Sequence, residues 1–203
     1  MDSLTLYTNP MSRGRIARWM LEETGQPYTA VPLDYATSMK APEFLAINPM
    51  GKVPALTHGR HVVTECAAIC TYLAHTFPEA GLMPEERSDF YRWMFFGAGP
   101  LEAAAVNAAL QVTVPAEKRG MVGYGSLDQV IAALAGRLAD VPYFCGHAFT
   151  AVDVYVGAQI GWGMRFGTLP SIPVFLDYWD RISQRPAALR AIAADDALME
   201  PRP

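Results

Sequence analysis

The hydrophobic pattern of this chain changes near residue 80, which argues against one repeating architecture throughout. Before that point, short extended segments alternate with helical ones in the order β-α-β-α-β-β-α. Afterwards the extended segments vanish, and alanine-rich helical stretches follow at roughly 85–112, 120–139, 151–166, 172–184 and 187–194. Residues 79–88 contain a proline, a glycine and three glutamates, a composition typical of a linker. We therefore expect an α/β domain over residues 1–78 and an all-α domain over residues 89–203.

The first part of the chain predicts a crossover unit of strand, helix and strand. Alternation over residues 4–8 predicts a strand, and a 3.6-residue period begins at about Ser12. Gly25 is expected to end this helix, and a second extended run over 28–33 follows closely, so its strand should lie parallel to the first. Opposite its apolar face, this helix is expected to carry four charged residues: Arg15, Arg18, Glu22 and Glu23.

A hairpin and a proline mark the next segment. A short helix is expected over about 42–47, and brief strands over 54–57 and 61–63 are joined at His58-Gly59-Arg60. Pro54 follows the β-branched Val53 at the mouth of a strand, so we expect a strand start or a bend, with a cis bond as one option. The amide and carbonyl of Val53 would then be exposed and able to pair with an extended peptide ligand.

Composition excludes several classes of function. The net charge is −4, and neither half of the chain forms a basic region, which argues against nucleic-acid binding. No apolar run is long enough for a membrane span. The three cysteines show no metal-ligand spacing and no secretory pattern, so we expect no metal site and a cytoplasmic location. Cys66 and Cys70 are four residues apart, which favours a buried helical stripe over redox chemistry.

Four features in one order carry a resemblance. Residues 48–56 read NPMGKVPAL, residues 63–69 read VTECAAI with Tyr72-Leu73 after them, and a Thr-x-x-Asp capping sequence stands at 150–153 in a helical second half. Together they resemble the cytosolic glutathione transferases over essentially the whole chain. The resemblance implies a thioredoxin-like first domain, a helical second domain and a two-fold homodimer.

The resemblance also implies a glutathione-binding site. Val53, before Pro54, would bond the cysteinyl part of the peptide through its backbone. The helix that begins at Glu65 would hold the γ-glutamyl carboxylate, and the Glu65 side chain would bind the γ-glutamyl amine. Cys66 stands where relatives usually have serine, so binding should be weaker but not lost. The glycyl carboxylate would lie near two lysines, Lys52 and Lys40, of which Lys40 is equally well explained as a surface charge.

The same resemblance implies a donor to the glutathione sulfur near the start of the first helix. Ser12, at the expected N-cap, is our first choice, although a simple capping role explains it equally well. Tyr7 and Asn9 are the competing candidates. Lowering a thiol pKa of about 8.5 by two units requires about 2.7 kcal/mol of preferential anion stabilisation.

The implied activity is transfer of glutathione to a small hydrophobic electrophile. A glutathione-dependent disulfide reductase or isomerase, and a non-catalytic regulatory protein of the same fold, remain as alternatives. The candidates for the electrophile pocket are Met11, Met94, Phe95, Phe96, Trp162, Arg165 and Phe166.

Overall fold

The structure is a computed structural model that describes residues 2–199. A four-stranded mixed sheet organises the N-terminal part of the chain, in the strand order β2-β1-β3-β4. The strands are β1 (Leu4–Thr8), β2 (Tyr28–Pro32), β3 (Ala55–His58) and β4 (His61–Thr64). The first pair is parallel, as expected for a crossover unit, and the other two pairs are antiparallel. The thioredoxin-like α/β prediction is confirmed.

Helices follow the strands at nearly the predicted places. The α-helices of the described residues are α1 (Gly14–Thr24), α2 (Pro42–Leu45), α3 (Cys66–Thr76), α4 (Ser88–Phe96), α5 (Glu102–Ala109), α6 (Leu127–Asp140), α7 (Ala151–Phe166), α8 (Pro173–Ser183) and α9 (Pro186–Asp196). Single-turn or two-turn 3-10 helices occur at Ser38–Lys40, Pro78–Ala80 and Ala116–Met121. Gly25 ends α1 in the left-handed conformation, with φ 67°. No helix among residues 2–199 has the length and apolar character needed to cross a membrane.

The described residues form two compact units. One contains residues 2–82 and 184–199, and the other contains residues 83–183. The predicted boundaries assigned everything after residue 88 to the helical domain, whereas the structure groups α9 with the first unit. The reason is a direct packing of α9 on α1.

Ion pairs join α9 to α1, and one of them is buried. Arg18 lies on the charged face of α1, but only 5 % of it is accessible, and its Nε donates to Asp195 Oδ1 at 2.8 Å. A helix pattern shows which residues are charged but not which charged partner covers them. The outer pairs are Arg15 with Asp196, Arg185 with Glu23 and Arg190 with Glu22.

The second unit departs from the predicted helix boundaries at two places. The stretch predicted as one helix over 85–112 is interrupted by a wide π-type turn at Gly97–Leu101, which contains Pro100. Proline cannot donate an intrahelical bond, and here the ladder widens around it. The next predicted helix starts at Leu127 rather than 120, because Gly120, Gly123 and Gly125 do not favour helix and Ser126 caps α6 through Gln129 N–H.

The predicted capping box of α7 is confirmed. Thr150 accepts from the Val152 amide, and Asp153 Oδ2 accepts from the Thr150 amide at 2.9 Å. Asp153 is fully buried, and its Oδ1 accepts from Phe144 N–H and from the Tyr178 hydroxyl. Burial raises the pKa of Asp153 to about 6 in spite of these donors, which favour the anion.

Candidate functional site

Strand register brings the predicted site residues to one end of the sheet. Tyr7 of β1 is paired with Ala55 of β3, and Ala55 is paired with Thr64 of β4. The end of β1, the start of β3 and the end of β4 therefore lie together. The loop after β1 carries Asn9 and Ser12, the segment before β3 carries Val53 and Pro54, and β4 leads directly into Glu65 and Cys66.

Val53 stands immediately outside the paired sheet. The Val53–Pro54 bond is cis, and β3 begins only at Ala55. Within residues 2–199, neither the amide nor the carbonyl of Val53 takes part in a hydrogen bond. This segment can therefore accept an extended peptide in the manner of an added strand.

Asn48 holds the turn that precedes Val53. It is 4 % exposed, its Nδ2 donates to the Lys52 carbonyl at 2.8 Å, and its Oδ1 accepts from the Met50 amide at 3.1 Å. The backbone closes the turn again, with Gly51 N–H donating to the Asn48 carbonyl. The Asn-Pro pair predicts a turn over 48–51, which the structure contains, but it did not predict these side-chain hydrogen bonds of Asn48.

The two lysines lie on either side of this turn. Lys40 Nζ donates to the Gly51 carbonyl at 2.8 Å, which keeps its ammonium next to the segment that carries Lys52. The side chain of Lys52 is exposed. The two cations are thus neighbours of the turn before Val53, and their contact with a carboxylate stays a prediction.

The N-terminus of α3 is presented at the same end of the sheet. Glu65 caps the helix with φ 66° and ψ 122°, an unusual conformation for a residue other than glycine. Its carboxylate is exposed and, within the described residues, makes no hydrogen bond or ion pair. The first amides of α3 have no intrahelical acceptors, so they and the helix dipole favour a bound anion.

Cys66 follows at the first position of α3. Its thiol is 7 % exposed and donates to the Arg13 carbonyl at 3.7 Å, which joins α3 to the loop that carries Ser12. Cys70 lies one turn further along and is fully buried. Its hydrogen bond with Cys66 and its burial hold the pKa of the Cys70 thiol well above its ordinary value. This agrees with the predicted buried stripe.

Ser12 lies in the loop one residue before the N-cap of α1, whereas the sequence predicts that Ser12 is itself the N-cap. The N-cap of α1 is Arg13, and Ser12 Oγ accepts from Gly14 N–H at 2.9 Å while its hydroxyl donates to the Asn9 carbonyl at 2.7 Å. The N-cap expectation was therefore wrong by one residue, because the chain makes a turn at 9–12 before the helix begins. The hydroxyl is partly exposed.

The two competitors of Ser12 have other neighbours. Asn9 Nδ2 donates to the Leu33 carbonyl at 2.8 Å and Asn9 Oδ1 accepts from Met11 N–H, so this side chain braces the loop. Tyr7 packs its ring 5.6 Å from that of Phe44, in a small cluster that Val53 also joins. A role for either residue toward sulfur remains a prediction.

The candidates for an electrophile pocket are spread over the surface and the core. Met11, Phe95 and Phe166 are each more than 70 % exposed, whereas Met94 is buried. The second unit contains a cavity of about 720 Å³, and of these candidates only Phe96 lines it, beside Pro100, Tyr124 and Val130. Its wall at 120–125 contains three glycines and lies within the stretch over 120–139 that the sequence predicts to be helical. Among residues 2–199, no group of three or more His, Cys, Asp or Glu side chains is arranged to hold a metal ion.

Comparison with known proteins identifies the family. A family model for the N-terminal domain of glutathione S-transferases matches residues 2–75. A zeta-class glutathione S-transferase of Euphorbia esula is 30% identical over 190 residues, which span 86% of this chain and 81% of the relative. Glutathione S-transferase 3 of Zea mays is 29% identical over 216 residues, with 96% and 95% covered. A solved sphingomonad glutathione S-transferase complexed with glutathione is 31% identical, with a TM-score of 0.75 and coverage of 95% and 98%. The chain belongs to the glutathione S-transferase family.

Proposed function

We propose that this protein is a glutathione transferase that adds the thiolate of glutathione to a small hydrophobic electrophile. Family membership supports the reaction type. Glutathione binding is supported by one observation: the backbone of Val53 makes no hydrogen bond among the described residues and lies beside the free N-terminus of α3. A γ-glutamyl tripeptide has a backbone for the first and an α-carboxylate for the second.

Each part of the peptide then has a partner of matching chemistry. The cysteinyl amide and carbonyl pair with Val53, next to Pro54. The γ-glutamyl carboxylate accepts from the first amides of α3, including that of Cys66, and its ammonium is bound by Glu65. The glycyl carboxylate is near Lys52 and Lys40, which supply positive charge at the other side of the turn.

Ser12 is the donor that stabilises the thiolate. Its hydroxyl is partly exposed at the N-terminal end of α1, where the dipole also favours an anion. Together they can supply the roughly 2.7 kcal/mol that a two-unit fall in thiol pKa requires. The sulfur lone pair then forms the C–S bond, and the electrophile either releases its leaving group or takes a proton. Asn9 supports the loop that carries this hydroxyl.

The experiment that tests the proposal starts from calorimetry with reduced glutathione. Glu65→Ala should weaken binding about 10-fold or more, because a charge-assisted hydrogen bond is lost, and thermal unfolding should be unchanged. Glu117→Ala, an exposed acid of the second unit, is the matched control and should bind like the wild type. Absence of saturable glutathione binding by the wild type would refute the proposal.

Kinetics separate the proposal from the alternatives. Ser12→Ala should shift the pH dependence of conjugation toward higher pH. Turnover of a glutathione mixed disulfide without conjugation of any electrophile would indicate the reductase or isomerase instead, and binding without either reaction would indicate a non-catalytic protein. We also expect a homodimer in solution, and light scattering that gives the mass of one chain, 22.2 kDa, would contradict that expectation. The cytoplasmic location stays a prediction.

A further inference from the structure

The loop that carries Ser12 is held by an arginine of α1. Arg15 Nε donates to the Pro10 carbonyl at 2.5 Å, and a carbonyl is the one backbone group with which a proline can form such a bond. Pro10 lies inside the turn that Ser12 N–H closes on the Asn9 carbonyl at 3.0 Å. The position of the Arg15 guanidinium therefore influences the shape of this turn.

The same guanidinium is bound by Asp196, the last residue of α9. Arg15 Nη2 donates to Asp196 Oδ1 at 2.6 Å, although the two residues are 181 positions apart in the chain. Met199 Sδ lies 3.6 Å from the same nitrogen. These contacts leave the Arg15 side chain 20 % exposed, whereas the Asp196 side chain is 53 % exposed. The carboxylate can therefore be replaced without disturbing a core.

A second ion pair joins the same two helices and does not contact the loop. Arg190 Nε donates to Glu22 Oε2 at 2.8 Å, and the Arg190 side chain is 56 % exposed. Among the described residues, neither Arg190 nor Glu22 makes a hydrogen bond to residues 9–12. Exposed ion pairs of this kind contribute little to stability, and the two pairs should contribute alike. An effect on the reaction that is specific to the Asp196 pair would therefore come from the bond between Arg15 and Pro10.

We propose that Asp196 is a positioning residue for the reaction, and that it acts through Arg15 to fix the turn at residues 9–12 and so to keep Ser12 in place for the glutathione sulfur. Arginine suits this task because its planar guanidinium can donate to two acceptors at once. A donor that is held in place before the anion forms stabilises that anion better than a donor that must be ordered first. This inference rests on the proposed function and on Ser12 as the donor to sulfur.

Charge and position predict opposite effects of removing the carboxylate. Asp196→Asn leaves the Arg15 cation without its counter-charge, and by charge alone this change would lower the pKa of the bound thiol. Loss of position would instead raise that pKa and lower kcat, because Ser12 would be in place for less of the time. We expect a kcat about two- to fivefold lower and a thiol pKa higher by roughly 0.3–0.7. The KM for glutathione should be nearly unchanged, since Val53 and α3 bind the peptide.

The test compares the wild type with Asp196→Asn and with Arg190→Gln as the matched control. The ultraviolet absorbance of the thiolate, followed against pH with saturating glutathione, gives the ionisation of the bound thiol, and conjugation of chlorodinitrobenzene gives kcat and KM. Both variants should unfold at the same slightly lower temperature, because each lacks one exposed ion pair between α1 and α9. Only Asp196→Asn should change the titration and kcat.

A third variant tests whether Asp196 acts through Arg15. Arg15→Met should shift the titration in the same direction, and adding Asp196→Asn to it should cause no further shift. An Asp196→Asn titration that superimposes on the wild type or moves to lower pH would overturn the inference, and so would an equal shift in Arg190→Gln. If Ser12→Ala leaves the titration unmoved while glutathione still binds and reacts, the inference fails and the transferase function stands; if glutathione does not bind to the wild type, the function itself fails.

Discussion

Replacing Arg18 by methionine is expected to destabilise the protein by about 3–5 kcal/mol. The guanidinium and Asp195 form a buried pair between α1 and α9, with side-chain exposures of 6 % and 0 % and an Nε to Oδ1 distance of 2.8 Å. Methionine keeps most of the aliphatic stem, so the loss reports mainly the charge. Asp195 would remain as a buried carboxyl without its cation.

The pair itself is a poor source of net stability. Arg18 Nη2 and Asp195 Oδ2 are both buried and have no partner among the described residues, so part of the desolvation cost of each charge is not offset. The double variant Arg18→Met with Asp195→Leu should therefore be within about 1 kcal/mol of the wild type, or more stable. A large loss of stability in the single variant and a small one in the double variant would show that the unpaired buried charge causes the loss.

Thermal and urea unfolding followed by circular dichroism measure these effects. A loss of 3–5 kcal/mol corresponds to a fall in Tm of roughly 6–20 °C for a chain of this size. Burial already raises the pKa of Asp195 in the wild type, and removing Arg18, which lowers it, raises it further. The folded variant then holds a proton that the unfolded chain, with an Asp pKa of about 3.9, releases. The loss of unfolding free energy in Arg18→Met should therefore be smallest below about pH 4 and should grow as pH rises.

Two results would refute this reasoning. A single variant that loses less than about 1 kcal/mol at pH 7 would mean that Asp195 finds water or another partner. A double variant that is as unstable as the single one would mean that shape rather than charge holds α9 against α1.

Of three further predictions, two concern buried polar side chains and one concerns a close backbone contact. Asp153→Asn should lower the free energy of unfolding by about 2–4 kcal/mol, because the new amide would face hydrogen-bond donors. The Asp153 pKa of about 6 in the folded state lies above the unfolded value, so the wild type should lose stability as pH rises from about 4 to 6. The variant should lack this pH dependence, which urea unfolding at several pH values tests. Gly14→Ala should cost about 1–3 kcal/mol, because its β-carbon would overlap Thr8, and equal stability would show that α1 can shift. Asn48→Ala should cost about 1–3 kcal/mol and weaken glutathione binding in calorimetry, since two turn groups lose their partner, and unchanged affinity would separate the turn from the site.

Local patterns predicted the elements whose causes are local. The alternation of β1, the glycine that ends α1 and the Thr150–Asp153 capping box all depend on residues within one turn or strand, and all were found. The start of α6 was missed although its signal was local, because three glycines were given less weight than the alanine-rich stretch that follows them. Treating these three glycines as helix-breaking residues would have placed that boundary correctly.

Contacts between segments that are distant along the chain could not be predicted from local sequence patterns. The burial of Arg18 depends on Asp195, which is 177 residues away, and no periodicity in α1 indicates which helix will cover it. The Ser12 loop shows the same limit at shorter range. The residue types were recognised as donors, but the bonds from Ser12 to the Asn9 carbonyl and from Gly14 to Ser12 follow from a turn that moves the helix start to Gly14.

Glu65 shows why an unfavourable backbone conformation persists at the centre of the candidate site. β4 ends at Thr64 and α3 begins at Cys66, so a single residue must turn the chain from strand to helix. It does so with φ 66° and ψ 122°, a conformation that costs about 1–3 kcal/mol for a residue with a side chain and little for glycine. The fold alone would therefore favour glycine here. An exposed carboxylate at this position fits the proposed binding of the γ-glutamyl ammonium group by Glu65.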